Sequence, residues 1–230
     1  MLESYFLYGL LAGLITLVAG ILPIFIDFKG VRYIIALSAG VVIATVFLDL
    51  LPETNLKKDA WILALGFLLF YIIGSLTMLH TCGERECEKH TMNMVSIFGM
   101  SLDNIIDGIA ITIGYLTNPH VGLIITVAVI IHEIPQDITA TLIMKDLGYS
   151  ARKMLFPILF AAVSYPVGTY IATFIPQAFY EPIIAFVAGT FIYIGIGDLL
   201  VEAHKRFNFQ VIMSVLSGFI VVFAIEEFMH

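Results

Sequence analysis

Long apolar runs alternate with short polar breaks along the whole chain. A helix needs about 20 predominantly apolar residues to cross the hydrocarbon core of a bilayer. Eight runs meet that length: 5–26, 33–51, 60–78, 92–115, 121–144, 154–175, 182–201 and 211–228. The pattern predicts an all-α integral membrane protein, a single bundle of eight transmembrane helices over residues 1–230 with no room for a soluble domain. The first run is long enough to span and lacks a basic leader, so it reads as a span rather than a cleaved signal.

Two runs break the pattern from within. "SLDNIIDGIAITIG" sets Asp103, Asn104 and Asp107 inside the fourth run, and "VIIHEIPQDITA" sets His132, Glu133, Gln136 and Asp137 inside the fifth. On a helix, residues four apart share a face. Asp103 therefore lies above Asp107, His132 above Gln136, and Glu133 above Asp137. A charge at the bilayer centre costs about 2.5–3.5 kcal/mol even on the most lenient scales, and neither run contains a Lys or Arg. The missing positive charge must come from protons, from a metal ion, or from both. Carboxylate and amide oxygens with one imidazole, converging from two helices, suit a divalent cation. Pro135 removes one helical hydrogen bond donor, frees the carbonyl of Ile131 and predicts a kink. Broken backbone at membrane depth is tolerated where it lines a cavity or is buried in protein. Gly108 and Gly114 on the facing run permit close helix approach.

Composition agrees with lipid as the solvent. The chain is 60% hydrophobic and 13% charged, with a mean hydropathy of +1.00, against about 45–50% and 25% in soluble domains. The net charge of −7 reflects acids set within apolar runs and carries no sign of a nucleic-acid partner. Nine of the eleven Lys and Arg fall in the first, third, fifth and seventh connections; Lys57 and Lys58 in the second are the exceptions. The positive-inside rule then makes the odd connections cytoplasmic and leaves both termini extracytoplasmic.

An internal repeat is also visible. "AGVVIATVFLDLLPE" (Ala39–Glu53) returns as "AGTFIYIGIGDLLVE" (Ala188–Glu202) at an offset of 149 residues. The copies lie in the second and seventh runs, which run in opposite directions, as in transporters built from inverted repeats. The fourth and fifth runs then form the middle of the array, where such proteins keep their substrate site. Asp49, Glu53, Asp198 and Glu202 lie near span ends and read equally as a solvated rim or as a vestibule. Glu226 and Glu227 read as rim. The third connection, "HTCGERECEKH", holds His80, Cys82, Cys87 and His90; the spacing lacks the compactness of a structural zinc motif and reads either as transient metal capture by soft ligands or as a solvated loop. Its two cysteines form no disulfide framework.

"DNIIDG" and "HEIPQD" resemble the paired signatures of ZIP metal transporters of prokaryotic type, commonly written HNxxDG and HEIPHE. The resemblance covers essentially the whole chain, with "LDLLPE" closing the second run. It implies a carrier of Zn²⁺, and also of Fe²⁺, Mn²⁺ or Cd²⁺, as transported substrate, moving toward the cytoplasm in the cell membrane, often as a homodimer and without a prosthetic group. It also implies a primary site of Asp103, Asp107, His132 and Gln136, an adjacent second site bordered by Asn104 and Glu133, and Asp137 in the last acidic position. Asp103 and Gln136 stand where the family usually has His, or His or Glu. Tyr165 in "SYPVG" stands where many bacterial members carry Glu, which removes a second-site ligand. Asp198, Glu202 and His204 are expected along the exit. "HEIPQ" also bears a likeness to the zinc-protease pattern H-E-x-x-H, but Gln136 and Pro135 depart from it, so no enzyme is expected. A passive metal channel is the remaining alternative.

Overall fold

The computed structural model describes residues 2–26, 28, 30–77, 94–205 and 208–229, and no strand occurs among them. In chain order the helices are α1 (Leu2–Phe25), α2 (Val31–Thr45), α3 (Leu56–Thr77), α4 (Met94–Thr117), α5 (Pro119–Asp146), α6 (Ala151–Ala172), α7 (Tyr180–Ile192), α8 (Leu200–His204) and α9 (Phe209–Met229). A π-helical turn, Val46–Leu50, continues α2, and a longer one, Tyr193–Leu199, joins α7 to α8.

Seven stretches among the described residues are long and apolar enough to cross a membrane: they run through α1, α2 with its π turn, α4, α5, α6, α7 with α8, and α9. The run expected at 60–78 is the 22-residue α3. It is not among the seven, and its first turn carries Lys57, Lys58 and Asp59. The third connection, with His80, Cys82, Cys87 and His90, lies outside the described residues, as do Lys29, Arg85, Lys89 and Arg206.

Apolar side chains cover the outside of the bundle. Phe209, Ile212, Leu216, Phe219 and Phe223 are exposed along α9, and Trp61, Leu65, Leu68 and Ile72 along α3. Apolar surface on this scale requires a non-aqueous neighbour. The chain is a multi-pass membrane helical bundle.

Inside, the helices sort into two sets. α1, α4, α5 and α6 pack on one another, while α2 pairs with α9 and α3 with α7; α5 against α2 and α4 against α7 join the sets. Small residues set these approaches. A Cβ on Gly108 would collide with the carbonyl oxygen of Tyr165, and one on Gly168 with that of Ile105, so α4 and α6 touch backbone to backbone. The repeat has a structural counterpart. Gly40 meets the Val215 carbonyl and its equivalent, Gly189, meets that of Leu63. Both copies then pass into a π turn that contains Asp49 or Asp198; the turns end at equivalent residues, Leu50 and Leu199, and the second begins two residues earlier.

The α5 helix is continuous through Pro135. Its freed Ile131 carbonyl accepts a hydrogen bond from the Ser38 hydroxyl of α2 at 2.7 Å. The buried acceptor is thereby satisfied from a neighbouring helix.

Candidate metal centre

The polar residues of α4 and α5 meet inside the bundle. His132 lies on α5 with its ring wholly buried and edge-on to Phe191 at 5.4 Å between centroids. Its Nδ1 is 2.9 Å from the Ala128 carbonyl oxygen. A carbonyl only accepts, so in the neutral imidazole the proton sits on Nδ1 and Nε2 keeps its lone pair. That Nε2 faces Asp107 Oδ2 at 3.5 Å and Glu133 Oε1 at 3.2 Å. Asp107 is 2% exposed and Glu133 not at all. Each residue offers one ligand atom, and the three atoms lie within 4.8 Å of one another.

None of those three atoms has a hydrogen-bond partner. Buried polar atoms are ordinarily paired, and three acceptors turned on one another without a donor repel. A metal cation among them, or a proton on Nε2, removes the conflict. With ligand bonds of about 2.0–2.2 Å, a metal would hold its donors roughly 3.3–3.5 Å apart, near the spacing present.

The remaining predicted residues surround this trio in different ways. Asn104 is buried and donates to the Ala161 carbonyl at 3.0 Å, which leaves its Oδ1 without a partner. Asp103 and Gln136 are half-buried, and Gln136 Nε2 donates to Asp103 Oδ2 at 3.4 Å. Gln136 is therefore tied to Asp103 rather than set among the three ligand atoms, which removes the H-E-x-x-H geometry of a zinc protease. Asp137 is 5% exposed and lines a separate small cavity with Met100, Pro157 and Ala161. Tyr165 is fully buried, and its hydroxyl donates to Glu133 Oε2 at 2.6 Å. Glu133 thus turns one oxygen to the trio and gives the other to Tyr165.

A cavity of about 660 Å³, including the space at its mouth, abuts Asp103 and Gln136 and is lined further by Tyr193, Asp198 and Gly74. These residues lie toward the end of the bundle where α3 and α5 finish and α4 begins. Of the residues expected along an exit, Asp198 lines this cavity. Glu202 is paired with Lys205 at 2.6 Å, and His204 is exposed.

At the opposite end, Glu226, read as rim, lies near the end of α9 and has a histidine neighbour. Its carboxylate meets His120 Nε2 at 3.7 Å and is 22% exposed, because α9 ends beside the start of α5. Glu227 is exposed, as expected. His120 escaped the sequence reading: it sits alone at a span edge, and only a long-range contact gives it partners. The local signal was the helix start, Asn118 and Pro119. Asn118 caps α5 by accepting from the His120 N–H at 3.0 Å, with proline in the first turn.

The ZIP zinc transporter family matches residues 77–226. Zinc transporter ZIP13 of Pongo abelii is 23% identical over 219 residues, taking in 83% of this chain and 65% of that protein. Zinc transporter zipt-7.2 of Caenorhabditis elegans is 25% identical over 152 residues, 60% of this chain and 33% of its own. Metal cation symporter ZIP8 of Rattus norvegicus is 28% identical over 134 residues, 57% and 29% respectively. The chain spans less than two thirds of the length of each of these relatives.

Proposed function

This chain belongs to the ZIP zinc transporter family, and from that premise we propose that it carries divalent metal across the membrane through a buried central site. Asp107, His132 and Glu133 are the inner ligands, with Asp103, Asn104 and Gln136 beside them. The carrying observation is the set of unpartnered ligand atoms on these three residues, buried on two helices with no Lys or Arg between residues 94 and 144. One imidazole with carboxylates accepts Zn²⁺ readily and admits the harder Mn²⁺ and Fe²⁺, alongside Cd²⁺. The name of the rat relative, a metal cation symporter, supports a range wider than zinc. Because Tyr165 holds the second oxygen of Glu133, the centre is read as mononuclear, and Asp137, on its own cavity, is read as outside the ligand set.

In the proposed arrangement α3 is the eighth span, since its exposed apolar side chains match those of its neighbours. The odd connections face the cytoplasm, so the cavity at Asp103, Gln136 and Asp198 opens inward. A metal arriving from outside loses water, is held at the trio, and leaves past Asp103 and Asp198. The four-helix set bearing the ligands is the unit that shifts against the α2–α9 and α3–α7 pairs. Binding at a closed site, with release through a one-sided cavity, describes a carrier in place of a continuous pore.

The test is uptake into proteoliposomes of Zn²⁺, Mn²⁺, Fe²⁺ and Cd²⁺, separately and in competition. Saturable uptake is expected, falling at least 100-fold in Asp107→Ala and in His132→Ala while both proteins still insert. Wild-type uptake in either variant overturns the site.

A further inference from the structure

A second constellation lies at the opposite end of the bundle from the open cavity. Asp49 comes from the π turn after α2, His120 from the first turn of α5, and Glu226 from the last turns of α9. His120 Nε2 lies 3.6 Å from Asp49 Oδ1 and 3.7 Å from Glu226 Oε1. The three ligand atoms fall within 4.8 Å of one another. We propose that Asp49, His120 and Glu226 form a separate divalent-metal site that captures the cation at the outer mouth before it reaches the central trio.

Three observations carry this. First, the Asp49 side chain is 1% exposed, and neither of its carboxylate oxygens has a hydrogen-bond partner. An ionised carboxylate removed from water without a donor is strongly disfavoured, so Asp49 is aimed at a ligand rather than at solvent. Second, separations of 3.6 and 3.7 Å exceed the 2.7–3.2 Å of direct hydrogen bonds and approach the spacing of donors that share one metal ion. Third, charge closes with a divalent cation. With both carboxylates ionised and the imidazole neutral, the donor set carries −2, which M²⁺ cancels.

The site is distinct from the central one. His120 and His132 lie on the same helix, twelve residues apart, which is about 18 Å at 1.5 Å per residue. His120 and Glu226, 19% and 22% exposed, form the outer edge of the site, where a hydrated cation meets it ahead of the buried Asp49. Its donors, one nitrogen and two carboxylate oxygens, resemble those of the central trio, so a cation can pass between sites of matched chemistry. The assignment to capture rests on the transport reading above, whereas the metal site itself is tested without transport.

The experiment measures Zn²⁺ binding to the purified full chain by isothermal titration, with Co²⁺ absorption reporting the ligands. Asp107→Ala/His132→Ala disables the central site, and Cys82→Ser/Cys87→Ser removes the thiols of the third connection. This background is expected to bind one Zn²⁺ per chain. Adding either His120→Ala or Asp49→Asn is expected to weaken that binding at least 10-fold, and circular dichroism checks that each variant stays helical. A background that binds no Zn²⁺, or binding unchanged by both added substitutions, overturns the proposal. The central site fails separately, if Asp107→Ala alone takes up Zn²⁺ at the wild-type rate.

Discussion

The two repeat copies end differently. In the first, the π turn Val46–Leu50 closes over Asp49, whose side chain is sealed against His120 and Glu226. In the second, the longer turn Tyr193–Leu199 leaves Asp198 half-buried on the wall of an open cavity. Similar sequences, "LDLLPE" and "GDLLVE", thus place an acid at both ends of the central site, one end shut and the other open. Single π turns within helices are frequent at functional sites, because they re-aim a side chain without ending the helix. On the proposed carrier reading, with the odd connections cytoplasmic, this asymmetry corresponds to a state closed outside and open inside.

The equivalence of the copies is most easily broken at their shared glycine. Gly40→Leu and Gly189→Leu each drive a side chain into a backbone carbonyl of the paired helix, which cannot yield as a side chain would. Overpacking usually costs about 1–3 kcal/mol, and at these contacts about 3 kcal/mol or more is expected. Both variants should lose monodisperse protein on size-exclusion chromatography. If one tolerates leucine and the other does not, the copies are not structurally equivalent.

The open and shut ends can be compared directly in a chain whose Cys82 and Cys87 have been replaced by serine. A water-soluble maleimide in detergent solution should modify the Asp198→Cys variant at least 10-fold faster than the Asp49→Cys variant. Equal rates would mean that both ends admit water and would remove the asymmetry on which the assigned state depends.

Most of the architecture was legible because its signals are local. Apolar run length predicted the helices, and seven stretches carry the expected spanning character. The repeat was visible as identities at constant offset, and its two copies share both a glycine contact and a π turn. The polar residues of α4 and α5 stood out because lipid gives them no alternative partner. Long-range geometry was not legible. Nothing in the sequence shows that Ser38 supplies the donor displaced by Pro135, that Gln136 turns to Asp103 while Glu133 faces His132, or that Glu226 meets His120. Each depends on which helices become neighbours, and on side-chain directions that spacing alone does not fix.

Tyr165 tests why the central trio has a single character. Tyr165→Phe keeps the ring and removes the donor to Glu133 Oε2, which leaves a fully buried carboxylate oxygen unpaired. Losing a hydrogen bond to a charged group of this kind costs about 1.5–3 kcal/mol, and thermal unfolding in detergent should shift down accordingly. The freed oxygen also makes Glu133 available to a second cation. A rise in Zn²⁺ stoichiometry at the central site would support the reading that the hydroxyl keeps the site mononuclear, and an unchanged midpoint would show that the bond contributes little.

Ser38 offers the smallest and most local test of the difference between the copies. Its repeat equivalent is Val187, buried in the same way but without a hydroxyl; the Pro135 carbonyl problem therefore has its solution in one copy only. In Ser38→Ala the Ile131 carbonyl loses its donor at membrane depth, where water does not replace it. Neutral hydrogen bonds contribute about 0.5–1.5 kcal/mol net, and a buried acceptor left unpaired costs about 1–3 kcal/mol, so a loss of about 1 kcal/mol is expected. Val187→Ala, which removes only apolar contact, is the control. The two can be separated by hydrogen exchange, because only Ser38→Ala should loosen α5 around Ile131 and Pro135. Equal protection of that segment in both variants would show that α5 holds its shape through packing alone.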